Sequence, residues 1–156
     1  TDGDSGSYLE IAEVIENHSP AATEDLARLW RRIAFSILIT NTDDHLRNHG
    51  FLRLSSAGWS LSPAFDLNPE PELGRRHLKT AIDLDETEAR IEVLLAVAED
   101  FRLDEKAVQE ILCEVGEATS TWRQVAKGQG LQRSAIETMA PAFEHEESKA
   151  VEALRS

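Results

Sequence analysis

The segment from Thr23 to Ile39 is the part of the sequence that most restricts the fold. Its apolar residues recur at intervals of three and four, which is the period of one face of an α-helix. Near its end, Phe35, Leu38 and Ile39 make the helix apolar on nearly all sides, so this end is predicted to be buried. Thr23 is predicted to cap the N-terminus of the helix. Whatever follows Ile39 therefore starts from a fixed, buried point.

Two short motifs follow this helix. Residues 41–48 have the sequence NTDDHLRN, and residues 62–66 have the sequence SPAFD. Together they supply an aspartate, an asparagine five residues later, and a second aspartate beyond a short apolar stretch. Phosphoryl transfer needs this order, because one carboxylate accepts the proton of the attacking hydroxyl while an Asn and an Asp hold the magnesium ions that bridge the nucleotide phosphates. The motifs therefore indicate a site for ATP and Mg²⁺.

Three side chains carry this interpretation, and each has a plainer alternative. Asp43 is the candidate general base, because it lies in a loop held by a rigid helix; the alternative is a turn residue. Asn48 is a candidate magnesium ligand with a neutral oxygen, or it caps a turn. Asp66 is the second candidate magnesium ligand, or an N-cap. Pro63 sets the chain direction, and Phe65 is predicted to anchor in the core so that Asp66 points into a cleft.

The other polar residues of the first motif are weaker candidates. His45 and Arg47 could each offer positive charge or a hydrogen-bond donor to a transferring phosphate. His45 is the better placed, although a packing role for it is equally open. Asp44 is predicted to face solvent, and His49 is predicted to be structural.

Residues 75–79 hold Arg75, Arg76, His77 and Lys79, which form the main basic cluster of the chain. One interpretation is a solvated loop. The other is contact with an anionic nucleotide or a protein substrate, which makes Lys79 a candidate cofactor-binding residue.

The remaining pattern predicts a mainly α-helical fold with one small β-hairpin. A helix is predicted over residues 7–17, closed by Pro20, and two strands over residues 50–54 and 59–61, followed by a loop over residues 67–80. The hairpin carries the chain from Asn48 to Asp66 and can bring the two side chains together. Trp30, Trp59 and Phe51 are predicted to be core residues.

Beyond this loop the pattern is helical to the end. One helix is predicted from about Glu86 to Phe101, capped by Asp85 or Thr87, and a second is predicted to be capped by Asp104. Residues 128–130 break the chain, and Pro141 is predicted to open a last acidic helix. Trp122 is predicted to be a core residue or an edge that contacts another part of a longer protein.

Composition limits the function classes. The net charge of −13 argues against a nucleic-acid-binding surface, which would need clustered Lys and Arg. The apolar runs are too short to span a membrane. Cys113 is the only cysteine, so an internal disulfide is impossible and a reduced, cytoplasmic setting is expected.

The two motifs resemble those of the HipA family of bacterial Ser/Thr protein kinases, the toxins of toxin–antitoxin modules. Residues 41–48 resemble the family's T-D-x-H-x-K-N loop, with Arg47 where a Lys is usual, and residues 62–66 resemble its P-x-[YF]-D motif. More weakly, the helical segments resemble the family's C-terminal lobe across residues 1–156. The resemblance implies that Asp43 is the catalytic base, that Asn48 and Asp66 bind magnesium, and that His45 replaces the catalytic-loop lysine of ordinary protein kinases.

The resemblance also implies cofactors, substrates and partners. The cofactors would be ATP and Mg²⁺, and the substrates would be Ser or Thr hydroxyls of proteins, in the best-known member an aminoacyl-tRNA synthetase. The usual partner is a small helix-turn-helix antitoxin, and such systems underlie bacterial persistence.

The family's N-terminal lobe, which grips ATP, is not recognisable before residue 41. We therefore expect the chain to be the C-terminal lobe of a longer kinase and to have little or no activity alone, since phosphoryl transfer depends on positioning.

Two other functions stay open from the residues alone. The first is a metal-dependent phosphohydrolase, with Asp43, Asp44, His45, His49 and Asp66 as a mixed nitrogen and oxygen cluster. The second is a non-catalytic helical interaction module, in which the same residues form only a structural network.

Overall fold

A computed structural model of the protein describes residues 6–71, 76–83 and 86–156. Over these residues the chain is mainly helical with one antiparallel hairpin, which confirms the predicted fold class. Two 3₁₀ helices, Leu46–Asn48 and Ala98–Phe101, interrupt the loops. The main elements are α1 (Tyr8–His18), α2 (Ala22–Ile39), β1 (Phe51–Ser55), β2 (Gly58–Leu61), α3 (Ile91–Ala96), α4 (Glu105–Ser120), α5 (Trp122–Gly128), α6 (Arg133–Phe143) and α7 (Glu146–Arg155).

Helix α2 forms the centre of the core, as its apolar pattern predicts. It contacts α1, α3, α4, α6, α7 and β2. Its residues Leu26, Leu29, Trp30, Ile33 and Ile37 are all completely buried. Since each such side chain contributes about 1.5–3 kcal/mol when it leaves water, burial along α2 is a main source of the fold's stability.

The N-termini of α1 and α2 are capped differently, and the start of α2 differs from the prediction. Helix α1 starts with a capping box, in which the Leu9 amide donates to Ser7 Oγ and the Ser7 amide donates to Glu10 Oε2. Thr23 is not an N-cap, because α2 already begins at Ala22. Its hydroxyl instead accepts a hydrogen bond of 3.0 Å from Arg102.

The hairpin is held to the helices at its base. Leu61 is buried and β2 contacts α1 and α2, whereas Leu54 near the tip is 79% exposed. Gly58 lies against α1 with a φ of 149°, and a Cβ there would overlap the carbonyl oxygen of His18. The predictions that Trp59 and Phe65 lie in the core are wrong. Each is 46% exposed, because a two-stranded hairpin covers little surface.

The other aromatic residues that are candidates for the core differ in how deeply they are buried. Trp30 is buried, and its indole N–H donates to the carbonyl oxygen of Leu94 at 3.2 Å. Phe51 is partly buried against the core. Trp122 is half-buried and stacks on Phe143 with ring centroids 4.5 Å apart.

The single helix predicted over residues 86–101 is wrong at its start, and it is also divided, since α3 ends at Ala96 and a separate 3₁₀ helix follows. Residues 86–90 are extended, because their backbone groups pair with the preceding loop: the amide of Leu78 donates to the oxygen of Thr87, and the amide of Ile82 donates to the oxygen of Glu86. Thr87 therefore does not cap a helix, and α3 begins only at Ile91. The other predicted cap, Asp85, lies outside the described residues.

The later helices follow the prediction except at Pro141. Asp104 caps α4 as predicted, accepting a hydrogen bond of 2.8 Å from the amide of Ala107. Helix α5 ends at Gly128, at the predicted break. Pro141 does not open the last helix. It lies in the final turn of α6, and α7 starts at Glu146.

Asp25 is a buried carboxylate that ties the α1–α2 turn to the hairpin. It is 2% exposed, and its Oδ2 accepts hydrogen bonds from the hydroxyl of Ser19 at 2.8 Å and from the amide of Leu61 at 2.9 Å. Arg28 pairs with its other oxygen at 3.3 Å. A buried charge is tolerated because donors surround it.

Replacing Asp25 by alanine should lower the free energy of unfolding by about 3 kcal/mol, since it leaves the buried Leu61 amide without its acceptor. Urea unfolding monitored by circular dichroism measures the change. The matched control is Glu24→Ala, which removes an exposed carboxylate from the same helical turn. Equal losses in the two variants would contradict the assigned role of Asp25.

His145 joins the start of α7 to the end of α2. It is 6% exposed, and its Nε2 lies 3.1 Å from the carbonyl oxygen of Leu38, to which it donates. Burial lowers the pKa of His145 to about 4, and the nearby charge of Arg76 acts in the same direction. The folded protein therefore holds this imidazole neutral, whereas the unfolded chain takes up a proton below its ordinary pKa of about 6.5.

Stability should consequently fall as the pH falls from about 6.5 towards 4, because the unfolded state binds the additional proton in that range. The contribution of His145 reaches at most about 3 kcal/mol. Urea midpoints of the wild type and His145→Gln, compared at pH 7 and pH 4.5, test this, since glutamine keeps a donor but does not titrate. An identical pH dependence in the two proteins would refute the assignment.

None of the helices in the described ranges combines the length and the apolar character that crossing a membrane requires.

Candidate active site

The candidate site is built on the loop that leaves the buried end of α2. Thr40 ends the helix in the left-handed conformation with a φ of 57°, and its hydroxyl donates to the carbonyl oxygen of Ala142 at 2.7 Å. The amide of Asn41 donates to the oxygen of Ser36 at 2.8 Å, and its side-chain nitrogen to the Ser36 hydroxyl. Thr40 and Asn41 are both buried, so the loop that follows starts from a rigid base.

Asp43 and Lys79 form an exposed ion pair on this loop. Lys79 Nζ contacts Asp43 Oδ1, and the Lys79 amide donates to the oxygen of Thr42 at 3.2 Å. The hydrogen bond from Lys79 and its charge lower the pKa of Asp43, and the nearby charge of His45 acts in the same direction. Asp43 is therefore an ionised, solvent-accessible carboxylate at neutral pH, as a proton acceptor must be.

His45 lies two residues further along and immediately before the 3₁₀ helix Leu46–Asn48. It is half-buried, and its Nδ1 is buried without a hydrogen-bond partner. A ring nitrogen in this state has capacity for one more hydrogen bond, for example to a bound phosphate.

Asn48 and Asp66 lie in direct contact, although 18 residues separate them. Asn48 Nδ2 donates to Asp66 Oδ2 at 3.0 Å. Asn48 is 4% exposed, whereas Asp66 is exposed and adopts the left-handed conformation with a φ of 56°. Asn68 supports the arrangement, donating to Asp66 Oδ1 at 2.9 Å and, through its amide, to the side-chain oxygen of Asn41. The hairpin thus brings the two motifs together.

The donor set of this pair suits a magnesium ion. Asn48 Oδ1 is buried and has no hydrogen-bond partner, which normally costs free energy unless a cation or water is bound there. The carboxylate of Asp66 contacts the nitrogen of the same Asn48 amide group. Mg²⁺ prefers hard oxygen ligands of these two kinds and uses few from the protein. Asn48 and Asp66 therefore fit the metal that the sequence indicates.

The prediction that Asp44 faces solvent is wrong. Asp44 is 2% exposed, and its Oδ2 accepts hydrogen bonds from the hydroxyl of Tyr8 and from His49 Nε2, the latter at 3.0 Å. His49, for which a structural role is predicted, has a side chain that is 4% exposed. Tyr8 is a residue that sequence reasoning misses, because its partner lies 36 positions away and neither spacing nor composition reveals the contact.

Lys79 and Asp43 line an open cleft of about 400 Å³. Members of the basic cluster line this cleft, but two of them also contact groups elsewhere in the chain. Arg76 is partly held by a hydrogen bond of 2.9 Å to the oxygen of Pro141, and His77 contacts the hydroxyl of Thr87. Arg75 lies outside the described residues. The residues that line the cleft are Thr40, Thr42, Asp43, Glu70, Arg76, His77 and Lys79.

The mixed metal cluster considered from the sequence finds no support in the described part of the chain. No group of three or more His, Cys, Asp or Glu side chains there could hold a metal ion. Asp44 and His49 are paired with each other, and Asp43 is paired with Lys79. The geometry therefore gives no argument for a phosphohydrolase.

Comparisons with known proteins identify the family and the fold. A family model described as the HipA-like C-terminal domain matches residues 2–122. A protein of Haemophilus influenzae named as a candidate kinase is 33% identical over 70 residues, which are 43% of this chain and 20% of that protein. A candidate kinase of Sinorhizobium fredii is 39% identical over 64 residues, 41% of this chain and 15% of that protein. The chain thus matches only a fifth or less of each relative's length.

A solved structure shares the fold. The Shewanella oneidensis toxin–antitoxin complex of HipA, HipB and operator DNA contains a chain that matches with a TM-score of 0.71 at 16% identity. The match covers 96% of this chain and 37% of that one.

Proposed function

The chain belongs to the family of HipA-like C-terminal domains, and on that basis we propose that it is the catalytic lobe of a Ser/Thr protein kinase. The observation that carries the proposal is the contact of Asn48 with Asp66 beside an unpartnered amide oxygen, on the same loop as the exposed carboxylate of Asp43. The loop and the second aspartate would then provide a base and two metal ligands, which are recurring parts of a phosphoryl-transfer site.

The proposed mechanism assigns one task to each residue. Asp43 accepts the hydroxyl proton of a Ser or Thr side chain, and its Oδ2 is the oxygen suited to this while Lys79 contacts Oδ1. Asn48 Oδ1 and the Asp66 carboxylate would hold Mg²⁺, which neutralises the developing charge on the nucleotide phosphates when bound. His45 and Lys79 supply hydrogen-bond donors and positive charge for the transferring phosphate of ATP.

The proposal extends to the biological setting. We infer that the full-length gene product is the toxin of a toxin–antitoxin pair in the cytoplasm and that its partner is a small helix-turn-helix antitoxin. The fold likeness to HipA, solved with HipB and operator DNA, supports the inference. By the family resemblance, an aminoacyl-tRNA synthetase is one candidate substrate. The negative charge of this chain itself suits protein partners better than DNA.

We propose further that the 156-residue chain alone transfers little phosphate. The described residues before Asn41 form two helices, α1 and α2, which do not resemble a strand bearing an ATP-contacting lysine or a loop covering phosphates. Since positioning supplies most of the rate enhancement, the missing groups should cost many orders of magnitude.

The experiment that tests the proposed function incubates the full-length gene product and ATP with a lysate of its host, and locates new phosphate by mass spectrometry. Phosphoserine or phosphothreonine on a defined protein is the expected result. Release of inorganic phosphate without any phosphoprotein would contradict the kinase assignment and favour a hydrolase.

A further inference from the structure

A buried polar cluster lies behind the candidate catalytic loop and consists of Tyr8, Asp44 and His49. We propose that this Tyr8 cluster is a positioning unit, which sets the placement of the base Asp43 relative to the metal ligand Asn48. The inference rests on the proposed function and deepens it, because it adds residues from outside both sequence motifs to the machinery of the same site.

The three side chains are bound tightly to one another. Asp44 Oδ2 accepts hydrogen bonds from both the Tyr8 hydroxyl and His49 Nε2. The rings of Tyr8 and His49 also meet edge to face, with centroids 5.7 Å apart and planes at 85°. Tyr8 is completely buried and the other two side chains nearly so. A buried carboxylate costs free energy unless hydrogen-bond donors surround it. Each of these contacts therefore restrains the loop strongly.

Two members of the Tyr8 cluster are direct sequence neighbours of the candidate base and of a candidate metal ligand. Asp44 directly follows Asp43, and His49 directly follows Asn48. The bond between Asp44 and His49 therefore closes the five-residue interval that separates the base from the metal ligand. Since Tyr8 belongs to α1, it anchors this closed loop to the helical core.

A second link joins the cluster to the lysine of the site. The hydroxyl of Thr80 donates to the carbonyl oxygen of Asp44 at 2.7 Å. The preceding residue, Lys79, pairs with Asp43. Residues 79–80 therefore hold the backbone of Asp44 and the side chain of Asp43. A shift of Asp44 would disturb both contacts.

The chemistry of Tyr8 suits a permanent support. Burial raises the pKa of Tyr8 well above its usual range, and the charge of Asp44 and the hydrogen bond to it act in the same direction. The hydroxyl therefore remains protonated and remains a donor throughout the working pH range. His49 Nδ1 is buried without a partner, so its hydrogen bond to Asp44 is the polar contact that orients the ring.

The test compares two variants that each remove one hydroxyl donor from a buried carboxylate. Tyr8→Phe removes the donor to Asp44, and Ser19→Ala removes the donor to Asp25, which is outside the loop. In the full-length gene product, Tyr8→Phe should lower kcat about tenfold and raise the Mg²⁺ concentration for half-maximal rate, because small misplacements of catalytic groups are costly. Ser19→Ala should change kcat and this Mg²⁺ concentration by less than about twofold, although it should lower the free energy of unfolding by a similar amount to Tyr8→Phe.

A second measurement does not depend on activity. The amides of Asn48 and His49 donate within the loop, to the oxygens of His45 and Leu46. Their hydrogen exchange should be about tenfold faster in Tyr8→Phe than in the wild type, and unchanged in Ser19→Ala. If the wild type had no transferase activity, the proposed function would be wrong. The exchange rates would still show whether the Tyr8 cluster holds the loop in place. Tyr8→Phe with unchanged exchange, or with a kcat reduced only by its unfolded fraction, would overturn the inference.

Discussion

Replacing Asp43 by asparagine should reduce the kcat of phosphoryl transfer by the full-length gene product roughly 10²- to 10⁴-fold, the usual contribution of a general base. Asparagine has the same shape but cannot accept the hydroxyl proton. The side chain is more than half exposed, so its replacement should hardly change the stability of the fold. Initial rates with labelled ATP measure the loss, and circular dichroism checks that the variant is folded.

A matched control for this variant is Asp100→Asn, which makes the same chemical change at an exposed position on the 3₁₀ helix Ala98–Phe101. It should keep the wild-type rate. If Asp43→Asn also kept that rate while folded, Asp43 would not be the base, and the site would be a structural network instead.

Replacing Asp66 by asparagine should lower kcat/KM for magnesium-bound ATP about 10³-fold or more, since bound metal contributes several kcal/mol to such a transition state. Asparagine is the replacement of choice because Asp66 has a φ of 56°, a conformation that asparagine tolerates better than alanine does. It also keeps the size of the side chain that Asn48 and Asn68 contact. The variant therefore removes charge with little strain.

Calorimetric titration of Mg²⁺ in the presence of a non-hydrolysable ATP analogue separates this effect from a loss of folding. We expect wild-type protein to bind the ion and Asp66→Asn to bind it at least about tenfold more weakly, since loss of a group that only supports a metal ligand already costs about that much. Equal affinity in the two proteins would remove Asp66 from the metal site.

The sequence alone predicts the parts of the fold that depend on local patterns. The apolar period of α2 predicts its burial, and Asp104 is recognised as a cap because it directly precedes a helical segment. The order of Asn48, hairpin and Asp66 also predicts that the two side chains can meet, because a two-stranded hairpin returns the chain to its starting point. These inferences need only neighbours within one element or one turn.

Several of the misplaced residues have an environment that depends on distant parts of the chain. Asp44 looks like a solvated turn residue until Tyr8, 36 positions earlier, is found to donate to it. The segment before Ile91 has helical composition, yet its backbone pairs with the loop around Leu78 and Ile82 instead. Trp59 looks like a core residue, but the hairpin is too small to cover it. Such contacts follow from tertiary packing, which overrides local preference.

The most direct test of the central claim measures γ-phosphate transfer by the full-length gene product as the Mg²⁺ concentration is raised, with Asp43→Asn and Asp66→Asn alongside. Our account predicts that label moves from ATP to protein Ser or Thr hydroxyls, that the rate saturates with Mg²⁺, and that both variants lose it while folded. Transfer that is independent of Mg²⁺, or that persists at the wild-type rate in either folded variant, would contradict it.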